Sequence, residues 1–344
     1  MKIDKKAAIA PLRTLSLLAV TGTLIMLTSC GESSTKTSTT PAPTSSSAVT
    51  MPHENHGGNK KININTAILS ELDKLEAKLG VPALSNKIQA SRPYGKIDDL
   101  VTKKVITQEQ LSQIKDIVTI EEIVLTGEAK DVDYMTKLGL MKGHLIVAQE
   151  LLDQGKPQDA EPHIGHPVEE IYTDVEDQLK ERNVKEFKTT LVNLQDLVKA
   201  GAKDPNQVKT LFQNAMQSID TAIQSIPETQ RKNPQFVIQV INGLLDTASS
   251  EYGASIAGGK IAAAIEYQDS RGFVTYADTL YQGISDTLGK EKPETNKAIA
   301  ASFTGLKTVW PSVIPPATPI KTPQEVSQLI KSLEQDTKKV IGNR

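Results

Sequence analysis

The sequence contains a single cysteine, Cys30, and aromatic residues make up only 4 % of it. One cysteine excludes an internal disulfide. Scarce aromatic residues disfavour a sheet-based core, whereas the abundant Ala, Leu, Gln and Lys lose little side-chain freedom in a helix. The 39 basic and 41 acidic residues nearly cancel, so no overall field attracts nucleic acid or an anionic membrane. The composition therefore predicts an all-α protein that recognises its partners locally.

Motifs for nucleophilic or metal-assisted hydrolysis are also lacking. The sequence has no G-x-S-x-G elbow, no H-E-x-x-H zinc-protease motif and no phosphate-binding glycine loop. Nucleophilic attack by serine, zinc-dependent proteolysis and phosphate binding each require the residues of one of these motifs at their fixed spacing. We therefore expect a protein that is not an enzyme.

Residues 1–30 combine a basic start with a short apolar run, which is the pattern of a secretion signal. The run ends in an L-T-S-C motif at Cys30 that resembles the lipobox of bacterial lipoproteins. The resemblance implies that residues 1–30 are a lipoprotein signal peptide and that Cys30 becomes a lipidated N-terminus, with an uncleaved membrane anchor as the alternative. We expect a lipid-anchored protein of the cell envelope that faces the periplasm or the extracellular space.

Residues 31–58 are rich in Ser, Thr and Pro, which predicts a disordered linker, and residues 59–122 then predict a small helical domain. Its I-N-I-N-T-A opening, the hairpin at Gly80 and the later R-P-Y and I-D-D-L segments resemble the helix-hairpin-helix module of the competence DNA-receptor (ComEA-like) family and of a related extrinsic photosystem subunit. The resemblance implies a helix-hairpin-helix fold. In the DNA-binding members, backbone N–H groups of the hairpins contact phosphate.

This copy of the module departs from the family pattern at both hairpins. The first has L-G-V-P where a G-I-G turn is usual. The second, at residues 103–107, has no glycine, and Cβ atoms there disfavour a left-handed turn and the close approach of a phosphate. DNA binding through Lys61, Gly80, Lys103 and Lys104 is therefore an alternative to a structural role, in which the module docks on an envelope protein.

From residue 128 to 344 the apolar pattern is helical, which predicts an antiparallel bundle of two four-helix units. The proline-rich segment 310–319 cannot be helical and should wrap the surface. Pro and Gly near the joints place the helices at 131–154, 157–182, 184–201, 205–226, 233–256, 262–288, 293–309 and 323–341.

An internal repeat with an offset of 104 residues relates the two halves of this bundle. The repeat predicts a duplicated helical hairpin. The matching positions are Gly139, Leu140, Gly155, Lys156, Ala160, Tyr172 and Asp174 with Gly243, Leu244, Gly259, Lys260, Ala264, Tyr276 and Asp278.

The first hairpin holds three of the five histidines. His144 follows the core-facing spacing of its helix, while His163, His166 and Glu170 form a row beside the apolar stripe of the next helix. Imidazoles beside a carboxylate supply the nitrogen and oxygen donors that iron, copper or zinc accept. The alternatives are a hydrogen-bonded core histidine at 144 and, after Pro167, an acid that stabilises a helix start.

The second hairpin carries acids on its apolar faces, and such acids are costly unless they are paired or coordinated. Neutralisation by Arg271, Lys260 or tyrosine hydroxyls is one explanation. The repeat places positions 267 and 270 at the heights of the two histidines of the row, so we predict instead that the acids face the imidazoles. The candidate metal ligands are His144, His163, His166, Glu170, Glu251, Glu266 and Asp269.

The bundle also resembles the imelysin-like and EfeO-like helical domains of bacterial envelope lipoproteins, which are duplicated bundles with a G-x-H-x-x-E motif. Residues 166–169 match H-x-x-E, although Gly165 directly precedes the histidine, and E-Y-Q-D at 266–269 is similar to iron-related envelope sequences. The resemblance implies a role in iron uptake. We therefore predict an anchored lipoprotein whose bundle binds a metal ion or small ligand, with DNA capture and protein docking as alternatives.

Overall fold

Helices dominate the computed structural model, which describes residues 61–121 and 124–342. The all-α prediction is confirmed, and each strand in the described ranges has only two residues. The predicted signal peptide, Cys30 and the predicted linker at 31–58 lie outside the described residues. The described residues all belong to one compact unit, Gly57–Arg344.

The N-terminal module, residues 61–121, is a set of short helices around its own apolar core, which includes Leu72, Leu75 and Ile88. A parallel strand pair joins its two ends. The elements are β1 (Ile62–Asn63), α1 (Leu69–Leu79), α2 (Leu84–Ala90), α3 (Asp99–Thr102), α4 (Gln108–Ile114) and β2 (Val118–Thr119).

Both hairpin turns of the module contain a residue in the left-handed region. Gly80 ends α1 with a φ of +62°, as expected for a glycine. Lys104, in the second hairpin, has a φ of +59° although it carries a Cβ. The expectation that a hairpin without glycine avoids the left-handed conformation is therefore wrong at this position. Backbone bonds from Lys104 and Val105 to Val101 and Leu100 hold the turn.

The rest of the chain forms a bundle with a second, larger apolar core. Prolines occupy the first turn of many of its helices, where the missing N–H is not needed. The helices are α5 (Gly127–Asp153), α6 (Pro157–His166), α7 (Tyr172–Glu181), α8 (Lys188–Lys199), α9 (Pro205–Gln224), α10 (Glu228–Arg231), α11 (Pro234–Ala254), α12 (Ala264–Glu291), α13 (Pro293–Lys307) and α14 (Pro323–Ile341).

Two local features differ from the sequence prediction. The helix predicted at 157–182 is divided by a π-helical turn, Pro167–Ile171, between α6 and α7. A small antiparallel ribbon, β3 (Ile256–Ala257) with β4 (Lys260–Ile261), joins α11 to α12. Its turn consists of Gly258 and Gly259, whose φ angles of +59° and +73° suit glycine.

The order of helices follows the duplication that the repeat predicts. An offset of 104 residues carries α5 onto α11, α6 and α7 onto α12, and α8 onto α13. The correspondence ends at residues 308–322, a non-helical segment that we call the strap and that precedes α14. Within 61–121 and 124–342, no helix combines the length and the apolar character that crossing a membrane requires.

Candidate metal site

The site is built where α5 and α12 pack at two glycines, Gly143 and Gly272. A Cβ on Gly143 would lie 2.6 Å from Phe273 Cδ1 and 3.0 Å from the carbonyl carbon of Gly272, so a larger residue would push the helices apart. The approach sets His144 against α12, with its ring edge-on to Phe273 at a centroid distance of 5.0 Å. Small residues in the sequence thus determine the position of the first histidine.

Asp269, on α12, lies at the centre of a cluster of three imidazoles. Its Oδ1 is 2.6 Å from His144 Nδ1 and 2.7 Å from His163 Nδ1, and its Oδ2 is 3.4 Å from His166 Nδ1. The side chains of Asp269, His144 and His163 are buried, whereas that of His166 is 31 % exposed. Within the cluster, solvent therefore reaches His166 far more than the other three side chains.

Three members of this cluster fit a metal ion. One ring nitrogen of His144, one of His166 and one oxygen of Asp269 lie within 4.8 Å of one another. Each ligand of a zinc ion lies about 2 Å from it, so donors that share one ion lie about 4 Å or less apart, and the spacing found here is close to that. Mixed imidazole and carboxylate donors suit zinc, iron or copper.

The π-helical turn, Pro167–Ile171, contains two adjacent glutamates with different surroundings. Glu169 is exposed, with its Oε1 3.4 Å from Gln195 Nε2. Glu170 is more buried, and its charge interacts with that of His166. The glutamate of the H-x-x-E match therefore faces away from the cluster, and its neighbour Glu170 takes that place. π-Helical turns often occur at functional sites because they redirect side chains in this way.

The pKa values of the cluster follow from burial and from the Asp269 charge. Burial alone would raise the pKa of Asp269, but His144 and His163 hold it well below its usual range. Burial lowers the pKa of His144. Burial would also lower the pKa of His166, but Asp269 and the nearby glutamates raise it to about 9. The cluster therefore holds the carboxylate of Asp269 against a protonated, partly exposed His166.

Further acids are close enough to the cluster for their charges to interact, and two of them, Asp73 and Glu76, come from α1 of the N-terminal module. Ser85 Oγ donates to Asp73 and, at 3.0 Å, to Glu76. Burial raises the pKa of Asp73 to about 7, and the charges of Glu76, Glu266 and Glu170 add to the rise. Burial also raises the pKa of Glu266. Where they are ionised, these carboxylates create a negative potential that attracts cations.

The structure brings together most of the predicted ligands. His144, His163 and Asp269 are in direct contact, with His166 beside them, and Glu170 and Glu266 are close enough for their charges to raise the pKa of His166. Glu251 is buried in α11 but is not in the group of three potential ligands. The sequence predicted a site shared by seven residues, and the group of potential ligands in the structure contains fewer of them. Asp73 and Gln268 were not among the sequence candidates, because neither lies on the histidine row or the acidic stripe.

In the part of the chain that the structure describes, Arg271 and Lys260, the alternative counter-ions, form no hydrogen bond or ion pair with Asp269. Arg271 binds Glu150, with Nη2 3.0 Å from Oε2, and donates to the carbonyl of Trp310. Lys260 is exposed in β4. Neither cation accounts for the burial of Asp269, whose partners are the imidazoles.

The four residues considered for DNA binding lie on the surface of the N-terminal module. Gly80 is exposed, and a Cβ there would meet no atom within 4 Å. Lys61 and Lys104 are also exposed. Lys103 Nζ donates to the carbonyls of Ser91 and Pro93 at 2.7 and 2.6 Å, so this cation already has partners within the module.

Comparison with known proteins bears on the second half of the bundle. Residues 227–344 match the model of a family described as the iron permease-associated 4-helix bundle domain. This part of the bundle is therefore similar to a domain described as iron permease-associated. This range contains α11, α12, α13 and α14, and therefore both Glu266 and Asp269, whereas the three histidines lie before it. No curated protein and no solved structure matches the chain.

Proposed function

We propose that the helical bundle binds a metal ion, iron in particular, through His144, His166 and Asp269. The observation that carries this proposal is the approach of their donor atoms to within 4.8 Å of one another. Iron is favoured among the metals that accept such donors because the matching family is described as iron permease-associated. Glu170 and Glu266 would supply oxygen donors at the exposed side, where an ion can enter.

The metal content of the purified protein tests this function. We expect Fe²⁺ or Zn²⁺ to bind at one equivalent and to raise the melting temperature, because an ion that binds only the folded state stabilises it. His166→Gln should remove most of this rise, since it deletes the partly exposed nitrogen donor at little cost to packing. If no metal co-purifies or binds, the proposal is wrong.

For the cellular setting, we propose that the protein is an envelope lipoprotein anchored through Cys30. The support is the L-T-S-C motif and the basic, apolar segment before it. The bundle would then bind its metal outside the cytoplasm, near a membrane or an envelope protein partner. Radiolabelled fatty acid should be incorporated by the wild-type chain and not by Cys30→Ser, and equal labelling would refute the anchor.

DNA binding by the N-terminal module is a second candidate, favoured by the exposed left-handed Gly80 and the space around it. Such contact would rest on backbone N–H groups and phosphate, and would weaken steeply with salt. Duplex binding at 50 and 200 mM salt, compared with Lys61→Ala/Lys104→Ala, would test it. Absence of binding at the lower concentration would eliminate this candidate.

A further inference from the structure

The strap, residues 308–322, is tied to α12 at residues that flank Asp269. Arg271 Nη1 donates to the carbonyl of Trp310 at 2.9 Å, and Gln268 Nε2 donates to that of Val313 at 3.2 Å. Tyr267 contributes a third bond, from its hydroxyl to the carbonyl of Ser312 at 3.3 Å. Trp310 and Val313 are themselves buried. The position of the strap and the position of the site are therefore linked through one short stretch of α12.

Gln268 connects this strap to the cluster. Its Nε2 faces a carbonyl oxygen, which only accepts, so its Oε1 is the atom that faces His163 Nε2 at 2.9 Å. His163 Nε2 therefore carries a hydrogen and donates it to the amide oxygen. Both Gln268 and His163 are buried, and water does not compete for these bonds.

The bond to Gln268 leaves His163 Nδ1 facing Asp269 Oδ1 at 2.7 Å. Both ring nitrogens of His163 are thus occupied by buried hydrogen-bonding partners, Gln268 on one side and Asp269 on the other. His163 is also absent from the group of donors that lie within 4.8 Å of one another. These two observations separate His163 from His144 and His166.

We propose that Gln268 and His163 are positioning residues of the metal site and not ligands. Held by the Val313 carbonyl of the strap, Gln268 orients His163, and His163 fixes Asp269 Oδ1 so that the carboxylate presents its other oxygen toward His166. The inference rests on the proposed function, and it replaces the sequence prediction that His163 is a ligand. Outer partners of this kind set the orientation and affinity of the ligands they contact.

The experiment uses the full-length protein and Co²⁺, whose visible spectrum reports the geometry of its ligands. Gln268→Leu removes both bonds of the amide, whereas Gln268→Glu keeps an acceptor for His163 and loses the donor to Val313. Gln230→Leu is the control, because Gln230 is a partly buried glutamine that donates to Asp131, outside the cluster. Affinity, cobalt spectrum and backbone hydrogen exchange of residues 308–322 are measured for all four proteins.

We expect Gln268→Leu to weaken Co²⁺ binding by about 10- to 100-fold and to change the spectrum. Gln268→Glu should keep the affinity within about threefold, by the same reasoning, while exchange in the strap becomes faster. If Co²⁺ binds the wild type and the spectra and affinities of Gln268→Leu and Gln230→Leu agree, the positioning role is wrong and the metal site stands. If the wild type binds no Co²⁺, the metal site is wrong and this inference with it.

Discussion

At the scale of single residues, the site depends on one carboxylate that serves three imidazoles. Asp269 is buried together with His144 and His163, and its charge is compensated by their hydrogen bonds. Removing one partner of a buried charge pair costs far more than removing an exposed pair, because the remaining group stays desolvated. The stability of the bundle should therefore be sensitive to this position.

Asp269→Asn should lower the free energy of unfolding by about 3 kcal/mol at pH 7. Because the folded-state pKa of Asp269 is lowered, its contribution is present above about pH 4 and is lost as pH falls further. Urea denaturation at several pH values measures this. Asp286→Asn, exposed on the same helix, should change stability by less than about 0.5 kcal/mol. Equal effects of the two variants would contradict the role of Asp269.

The two adjacent glutamates of the π-helical turn provide a matched pair. Burial raises the pKa of Glu170 to about 7, so at pH 8 Glu170→Gln removes a negative charge beside His166 and should weaken metal binding by roughly tenfold. Glu169→Gln, one residue away and exposed, should leave the affinity within about twofold of the wild type by the same argument. Calorimetric titration measures the metal affinity of both variants. A larger loss of affinity for Glu169→Gln would contradict the position of Glu170 beside His166.

At the scale of elements, the close approach of α5 and α12 holds the two halves of the site together. Gly143→Ala should destabilise the protein by about 1–3 kcal/mol and weaken metal binding, because the added methyl group must displace Phe273 or the backbone of α12. Gly283→Ala, on α12, is the control, because a Cβ there would meet no atom of another element within 4 Å. Thermal denaturation with and without Zn²⁺ would show the difference. Similar melting temperatures for both variants would contradict the packing argument.

Most of the helices could be predicted because residues at their own ends mark where they begin. Prolines such as Pro205 and Pro323 and caps such as Asp204 and Thr322 mark helix starts without reference to the rest of the chain. The π-helical turn could not be predicted, because a pattern of 3.6 residues per turn continues through Pro167.

The site was predictable in part for a related reason. Histidines and acids on apolar helix faces are conspicuous in a sequence, and the repeat indicated that His163 and Asp269 lie at similar heights. Gln268 was missed because a neutral amide in a helix gives no signal of burial. Asp73 was missed because its nearness to the cluster depends on how α1 packs on the bundle, which no local pattern records.

At the scale of the whole molecule, the N-terminal module is joined to the bundle by contacts of α1. Ile68 belongs to the core of the bundle, and Lys74 forms an ion pair with Asp246 of α11. A Cβ on Gly253 of the same helix would lie 3.4 Å from Ala77 Cβ. These contacts bring the acids of α1 near those of the bundle. The charges of Glu170 and Glu266 in the bundle therefore help to raise the pKa of Asp73 in the N-terminal module.

Asp73→Asn should therefore stabilise the folded protein at high pH. The folded-state pKa of Asp73 is raised to about 7 from 3.8, so its ionisation costs stability as pH rises between these values. We expect a gain of roughly 1–2 kcal/mol at pH 8 and no gain below about pH 4. Asp98→Asn, exposed in the same module, should show neither effect. A stabilisation independent of pH would contradict the electrostatic explanation.

The most direct measurement of the central claim is anomalous diffraction from crystals of the protein grown with Fe²⁺ or Zn²⁺ and recorded at the metal absorption edge. We predict an anomalous peak about 2 Å from a nitrogen of His144, a nitrogen of His166 and an oxygen of Asp269, with His163 bonded to Asp269 and Gln268 outside the coordination sphere. A peak elsewhere in the molecule, or no peak at saturating metal, would contradict the assignment of this cluster as the metal site.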